Sequence, residues 1–499
     1  MLVGDIISKT ANQKKDKTAA VIDDQKITYG ELEKESNKLA HGLIDLDIEP
    51  SDMVSIMLPN SLEFLVAYLG VIKSGATMVP LNISFKAPAV EYILNNSEAK
   101  VVITSKRFLP LIQSCSLDYL ENIILVDGEI GDDYISLSEL KDQKTTLPEL
   151  QKIDQEFTAA CLYTSGTTGQ PKGAMLTHHN LIFDTRKTIE HLKVDDSDRY
   201  ICVLPMFHAF AETVCMLMPM FLGAEIVIVD RFLPEKVLKT IQEKNVTFFA
   251  GVPTMYSALL NVKNKNQFDL SHLNLCISGG AAMPQQTMED FEKTFNVKIL
   301  EGNGPTETSP VAYVNPVDGE RKSGSVGLPI PETEVKIVDE NDRELSPGEI
   351  GEITVRGEHV MKGYFKMSEA TAKTLRNGWL HTGDLGKMDE DGYVYIVDRK
   401  KDMINVGGMN VYPREIEEQL YKHPKIQAAA VVATKDELRG EIPKAVIVLR
   451  EDEKATEREI QKYCMQYFAN YKIPKLVEFI DELPKNATGK IDKKSLSDI

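Results

Sequence analysis

Apolar and polar positions alternate in two distinct rhythms along the first three hundred residues. Asp52–Leu58 is a run of β-forming residues that predicts a strand. Ser61 to Ser74 is apolar with helical spacing, with Ser61 in capping position and Gly75 just beyond the end. Ala76–Leu81 predicts another strand, 89–96 a helix, and 100–104 and 123–126 two further strands. Strands that alternate with helices predict a parallel sheet covered on both faces. The rhythm returns between Tyr200 and Leu300, with strands near Ile201, Glu225, Thr247 and Leu275. Two such regions predict two α/β subdomains.

Between Ser323 and Tyr395 the texture changes. Gly and Pro become frequent, and 334–338 and 352–355 alternate apolar with polar, the pattern of antiparallel strands in a small β-barrel. After Arg399 an α+β pattern follows. Pro413 opens a helix over 414–422, 428–433 and 445–449 predict strands, and Thr456 with Glu459 forms a capping pair before a helix to about Ala469. The expected fold class is α/β: a large N-terminal domain, 1–398, of two α/β subdomains plus a small β-barrel, and a smaller, mobile α+β C-terminal domain, 399–499.

The chain of 499 residues is long enough for several domains, and 42% hydrophobic residues supply a large core. Its net charge is −18, unevenly spread. Residues 400–499 hold 18 basic and 17 acidic side chains, so the remainder carries 39 against 58. An acidic surface argues against nucleic acid and anionic lipid as partners, and leaves any anionic ligand to a local site. The six cysteines, at 115, 161, 202, 215, 276 and 464, include no CxxC pair and read as buried apolar residues of a reducing compartment. The N-terminus lacks a signal-peptide core, and no apolar run is long enough to span a bilayer; Val214–Leu222 is too short. A cytoplasmic protein without an integral membrane segment is expected, with homo-oligomerisation left open.

Tyr163-Thr-Ser-Gly-Thr-Thr-Gly-Gln-Pro-Lys-Gly173 follows the apolar run 158–162. Its glycines let backbone N–H groups converge on an anion, Thr164, Ser165, Thr167 and Thr168 add hydroxyls, and Lys172 adds a mobile cation. This composition is that of a polyphosphate cradle, though not of a Walker A loop. A plain surface turn would not need so many hydroxyls and glycines beside a lysine. Glu307 with Thr306 offers hard oxygen ligands of the kind that hold Mg²⁺ on phosphates. Taken singly, Asp384, Arg399 and Lys490 read as ordinary turn or solvated residues.

The cradle closely resembles the phosphate-loop signature of the adenylate-forming superfamily, which comprises acyl- and aryl-CoA synthetases, peptide-synthetase adenylation domains and luciferases. The resemblance runs on in order through Gly302–Glu307, Gly378–Asp384, Asp398–Ile404 and Pro484–Lys490. It implies ATP held by Thr164, Ser165, Gly166, Thr167, Thr168, Gly169 and Lys172, adenine by Gly280, Ala281, Asn303, Gly304 and Thr306, and ribose by Asp384 and Arg399. It implies Mg²⁺ on Glu307 and Thr164, and catalysis by Lys490 with Lys172 and His208. Lys401 would be the hinge, and Gly407 and Gly408 would line a tunnel for coenzyme A, although two adjacent glycines also suit a plain turn. Asn303 departs from the family, which places an adenine-stacking aromatic there.

For the acid, the resemblance points to His208, Gly251, Gly279, Gly304 and Pro305 as pocket residues. By itself His208 reads as a core or capping histidine. The segments 251–254, 279–283 and 304–305 are small and apolar with no charge, which suits an acyl chain better than an amino acid. The single tryptophan, Trp379, lies in the ribose segment, so none is left to shorten the pocket for acetate. The pattern is most similar to bacterial medium- or long-chain fatty acyl-CoA synthetases. Aryl-CoA or other carboxylate–CoA ligases, and a CoA-independent luciferase-like adenylating enzyme, remain as alternatives.

Overall fold

A computed structural model of the protein describes residues 1–129, 134–142, 144–148, 153–164, 170–436, 438–486 and 488–497. Two large sheets form its base. The first has eight strands, in the order Gly363–Tyr364, Lys172–Thr177, Thr158–Thr164, Thr77–Pro80, Met53–Met57, Val101–Thr104, Asn122–Leu125 and Ile135–Ser136. Only its second strand, Lys172–Thr177, runs against the others. The second has nine, of which Ile299–Asn303, Leu275–Ser278, Phe248–Gly251, Arg199–Cys202, Glu225–Ile228 and Thr18–Ile22 run parallel in that order. Thus the chain's first strand sits in the second sheet, beside Glu225–Ile228. The two α/β halves are interleaved rather than consecutive.

One continuous core joins both sheets, running from Val54 and Ile56 through Leu65 and Leu69 to Ile201 and Val227. The helix Leu62–Lys73 carries it. Ser61 caps the helix by accepting from Phe64 N at 3.1 Å, and every residue from Phe64 to Lys73 is buried. Each fully buried large apolar side chain contributes about 1.5–3 kcal/mol. Even Lys73 is enclosed, its ammonium held by Glu33 at 2.5 Å and by Ser36 and Asn37 at 2.9 Å.

The β-rich segment forms a five-stranded antiparallel sheet, Glu334–Val338, Gly351–Arg356, Trp379–Met388, Leu375–Arg376 and Val394–Arg399. Its pairing stays open, so it is a half-barrel. After Arg399 the chain turns and enters another sheet with its own core around Ile404, Ile416, Val431 and Ile447. The last helix of the expected set is shorter than its sequence promised, Glu457–Cys464. Residues 465–467 are exposed, so no apolar stripe holds a further turn. Among the described residues no helix is long and apolar enough to cross a membrane.

Candidate active site

A cleft of about 1920 Å³ opens between the large domain and the C-terminal sheet. Thr164, Lys172, His208, Asn303, Thr306, Glu307, Asp384, Arg399, Lys401 and Lys490 all line it. Residues drawn from six separate stretches of sequence therefore meet in one space.

The strand Thr158–Thr164 turns back as Lys172–Thr177 with Thr164 opposite Lys172. The short strand Gly363–Tyr364 pairs with the outer edge of this hairpin, Tyr364 opposite Ala174. Tyr364 is thereby delivered to the site, where its hydroxyl donates to Glu307 Oε1 at 2.6 Å. The Lys172 ammonium lies 5.0 Å from the centre of the same ring. A cation, a phenol and a carboxylate thus share one corner. Ser165, Gly166, Thr167, Thr168 and Gly169 lie outside the described residues.

Asp384 and Arg399 face each other on adjacent strands, with Arg399 Nε 3.3 Å from Asp384 Oδ1. Burial raises the Asp384 carboxyl above its ordinary range, and Arg399 counteracts this. Lys490 approaches from the C-terminal domain on a loop tied by Asn486, whose Oδ1 accepts from Lys490 N at 3.1 Å. Thr254 Oγ1 donates to Gly489 O at 2.6 Å and docks that loop on the large domain. Enclosure in the cleft pulls the Lys490 ammonium down to about 8; Arg399 lowers it further and Asp384 opposes. His208 caps the helix that follows, its Nδ1 accepting from Phe210 N at 3.2 Å. Burial first, and Lys490 second, push its imidazole down to about 3, so it is neutral at physiological pH.

The wall beside Lys490 is uncharged. Gly280 lies under its side chain, Phe210 packs on Gly279, and Val252 borders both Gly280 and Gly489. Gly251 is buried against Phe249 and Tyr256. Gly304 and Pro305 line the cleft, and so does Ala281. The apolar run Val214–Leu222 is helical and is entered earlier: a wide π-helical stretch, Glu212–Leu217, runs into Met218–Leu222. Sequence reading found the small, uncharged segments but missed two buried carboxylates. Glu301 lines the cleft and is raised to about 7 by burial, with Arg414 drawing it back. Glu212 is buried, accepts from the Tyr68 hydroxyl at 2.9 Å, and is also raised to about 7 by burial. Tyr364 was missed as well. The visible signals were an acid inside the apolar strand 299–303 and a Gly-Tyr-Phe run after the barrel's second strand.

Three of the expected residues are not brought in: Gly251 is turned into the core and does not line the cleft, and the other two are glycines of the C-terminal domain. Gly407 and Gly408 form the exposed tip of the hairpin between Ile404–Val406 and Met409–Val411, with φ of +59° and +90°. That pair of positive values is a two-residue hairpin turn of type I′, and neither glycine lines the cleft. Lys401 stands exposed in the turn after Arg399, where Asp402 N donates to Arg399 O at 3.0 Å. Trp379 also lies off the cleft, under Arg356 at 4.6 Å. Among the described residues no cluster of His, Cys, Asp and Glu forms a ready metal cage. Glu307, with one oxygen free of any bond among the described residues, and the Thr164 hydroxyl fit a hard cation that phosphate oxygens would complete.

The family model for AMP-binding enzymes matches residues 7–365, and that for the AMP-binding enzyme C-terminal domain matches 415–490. A long-chain-fatty-acid–CoA ligase of Bacillus subtilis (strain 168) is 37% identical, across 98% of this chain and 93% of the relative. A feruloyl-CoA synthase of Amycolatopsis sp is 34% identical, across 94% and 92%. Among solved structures, the anthranilate CoA ligase AuaEII in complex with anthranoyl-AMP matches with TM-score 0.93 and 33% identity over 99% of this chain and 96% of that one. ATP-bound MatB from Rhodopseudomonas palustris matches with TM-score 0.91 and 30% identity over 100% and 99%. With both family models matched in order and relatives aligned along nearly its whole length, the chain belongs to the AMP-binding enzyme family.

Proposed function

We propose that the protein is an ATP-dependent carboxylate–CoA ligase for medium- or long-chain fatty acids, working in the cytoplasm in two half-reactions. A carboxylate attacks the α-phosphorus of ATP, giving acyl-AMP and pyrophosphate. The thiol of coenzyme A then attacks the acyl carbon, and AMP leaves. The observation that carries this reading is the placement of Lys490 between the Asp384–Arg399 pair and an uncharged wall of Phe210, Val252, Gly279 and Gly280.

Lys490 supplies positive charge where carboxylate and α-phosphate meet, and enclosure from water strengthens its effect. Asp384 and Arg399 hold the ribose edge, Lys172 and the hydroxyl-rich loop hold the phosphates, and Asn303 borders the base. Bound Mg²⁺, on Glu307 and the Thr164 hydroxyl, would neutralise phosphate charge. Neutral His208, whose Nδ1 accepts from Phe210 N, has its Nε2–H left to donate to the carboxylate and orient it. Lys490 lines the cleft while the Gly407–Gly408 turn of the same small domain stands outside it, so the division at Arg399, 1–398 and 399–499, works as a hinge centred on Lys401.

Support for a fatty acid comes from the apolar wall and from long-chain relatives at 35–37% identity. An aryl acid is the second reading, favoured by the feruloyl-CoA and anthranilate relatives. A carboxylate panel from acetate to stearate, with benzoates and amino acids, scored by AMP release with and without CoA, decides between them. The highest kcat/KM is expected on a medium or long fatty acid and only with CoA. Acetate or an α-amino acid as best substrate, or CoA-independent turnover, would overturn the reading.

A further inference from the structure

Lys490 reaches the cleft on a loop of a domain that must be docked by contacts elsewhere. Glu301 belongs to the strand that carries Asn303, and only 2% of its side chain is exposed. Its Oε1 accepts from Met283 N at 3.1 Å and lies 3.6 Å from Arg414 Nη2; its Oε2 is sealed from solvent with no hydrogen-bond partner among the described residues. Arg414 opens the C-terminal domain's helix Pro413–Tyr421, where the helix dipole disfavours a cation. It is nevertheless pinned there. Its N–H donates to Asp398 Oδ2 at 3.0 Å and its Nη1 to Ile396 O at 2.7 Å, which leaves Nη2 aimed at Glu301. One turn on, Glu418 accepts from the backbone of Gln285 at the start of the helix Gln285–Phe295. Residues 414 and 418 share one helix face, and both bind the large domain, Arg414 through the Glu301 carboxylate and Glu418 through a backbone N–H.

We propose that Glu301 and Arg414 form an interdomain clasp that selects the arrangement in which Lys490 occupies the cleft, so that both are positioning residues for adenylation. The inference rests on the two-step reading above. Arg414 belongs to the C-terminal domain and meets Glu301 only while that domain is docked. Rotation of that domain breaks the pair and leaves the Glu301 carboxylate without its counter-charge. The pair therefore acts differently on the two arrangements, which is the requirement for biasing an equilibrium between them. Neither residue needs to touch the reacting atoms; each acts through the location of Lys490.

The test separates the half-reactions in the full-length enzyme. Glu301→Gln keeps the shape and removes the charge. It should lower fatty-acid-dependent ATP–pyrophosphate exchange about tenfold, within the usual range of a coupling between sites, while thioester formation from supplied acyl-AMP stays at the parental rate or rises. In a Lys490→Ala background the same substitution should change exchange no further, because nothing remains to be positioned. Arg414→Lys should retain more exchange than Arg414→Gln. Glu418→Gln should show the same split and serves if Glu301→Gln does not fold. The clasp is refuted by parental exchange in Glu301→Gln, by equal loss in both half-reactions, or by additive loss in the Lys490→Ala background, which would mean that Glu301 contacts a ligand directly. A parental enzyme without any exchange would refute the ligase reading instead.

Discussion

The Lys490 side chain lies against Gly280: a β-carbon at position 280 would sit 2.8 Å from Lys490 Cε and 3.1 Å from Nζ. Gly280 also has φ of +78°, where a side chain costs about 1–2 kcal/mol. Gly280→Ala should therefore displace the ammonium and lower the melting temperature slightly. The expected signature is a drop in ATP–pyrophosphate exchange of about tenfold, as for a displaced catalytic group, with thioester formation from supplied acyl-AMP largely retained. Parental exchange in this variant would mean that Lys490 can act from a shifted position.

Lys490 must be protonated to supply charge, and its enclosure holds it near 8. The charged form dominates below that value and is lost above it. The kcat/KM of adenylation, which reports the free enzyme, should thus fall on a basic limb near pH 8. Lys490→Arg should abolish the limb, since a guanidinium stays charged. His208, near 3, contributes no acidic limb in the working range. Lys490→Ala should lower adenylation by about 10²–10³-fold. A pH profile flat to pH 10 would remove Lys490 titration from the rate.

Tyr364 orients the Glu307 carboxylate by a 2.6 Å hydrogen bond. Loss of a hydrogen bond that orients a metal ligand costs roughly 10–100-fold in affinity. Tyr364→Phe should raise the Mg²⁺ concentration for half-maximal adenylation by at least about tenfold at saturating ATP. An unchanged Mg²⁺ midpoint would place the metal on other residues.

The α/β rhythm and the barrel-like middle were legible because burial imposes periodicity on short segments. The interleaving of the two sheets was not. Nothing local in Thr18–Ile22 says that it pairs with Glu225–Ile228 rather than with the nearer strand Met53–Met57. Among the site residues, Lys490, Asp384 and Arg399 were recognisable only through their motifs, since a lone charged residue in a turn has many uses. Glu301 and Arg414 went unread, although an acid inside an apolar strand and a cation at a helix start were there to be seen. Their meaning required two domains in contact, which no window of sequence contains.

Asn303 lines the cleft, at the position where the resemblance of its motif implies an adenine-stacking ring. An aromatic there would add a stacking surface worth about 1 kcal/mol. Asn303→Tyr should bind ATP at least as tightly as the parent, by equilibrium titration. A large loss of affinity in a folded variant would show that the Asn303 amide makes a specific polar contact.

Lys401 follows the last barrel strand, in a turn closed by Asp402 N and Met403 N donating to Arg399 O. Its own N–H has no partner among the described residues, and its φ is not positive. Proline at this position would therefore cost no recorded hydrogen bond in the arrangement seen here, while fixing φ near −65°. The arrangement seen here is the one with Lys490 in the cleft. On the proposed two-step reading, thiol attack brings the Gly407–Gly408 turn in instead, and a few dihedrals at the boundary absorb that rotation. Lys401→Pro should therefore make acyl-AMP and pyrophosphate at close to the parental rate but form acyl-CoA slowly. Lys401→Ala, with a free backbone, should resemble the parent in both steps. Single-turnover measurement of each half-reaction checks this: equal thioester rates in the proline variant and the parent would take the hinge away from Lys401 and move it to a neighbour such as Lys400 or Asp402.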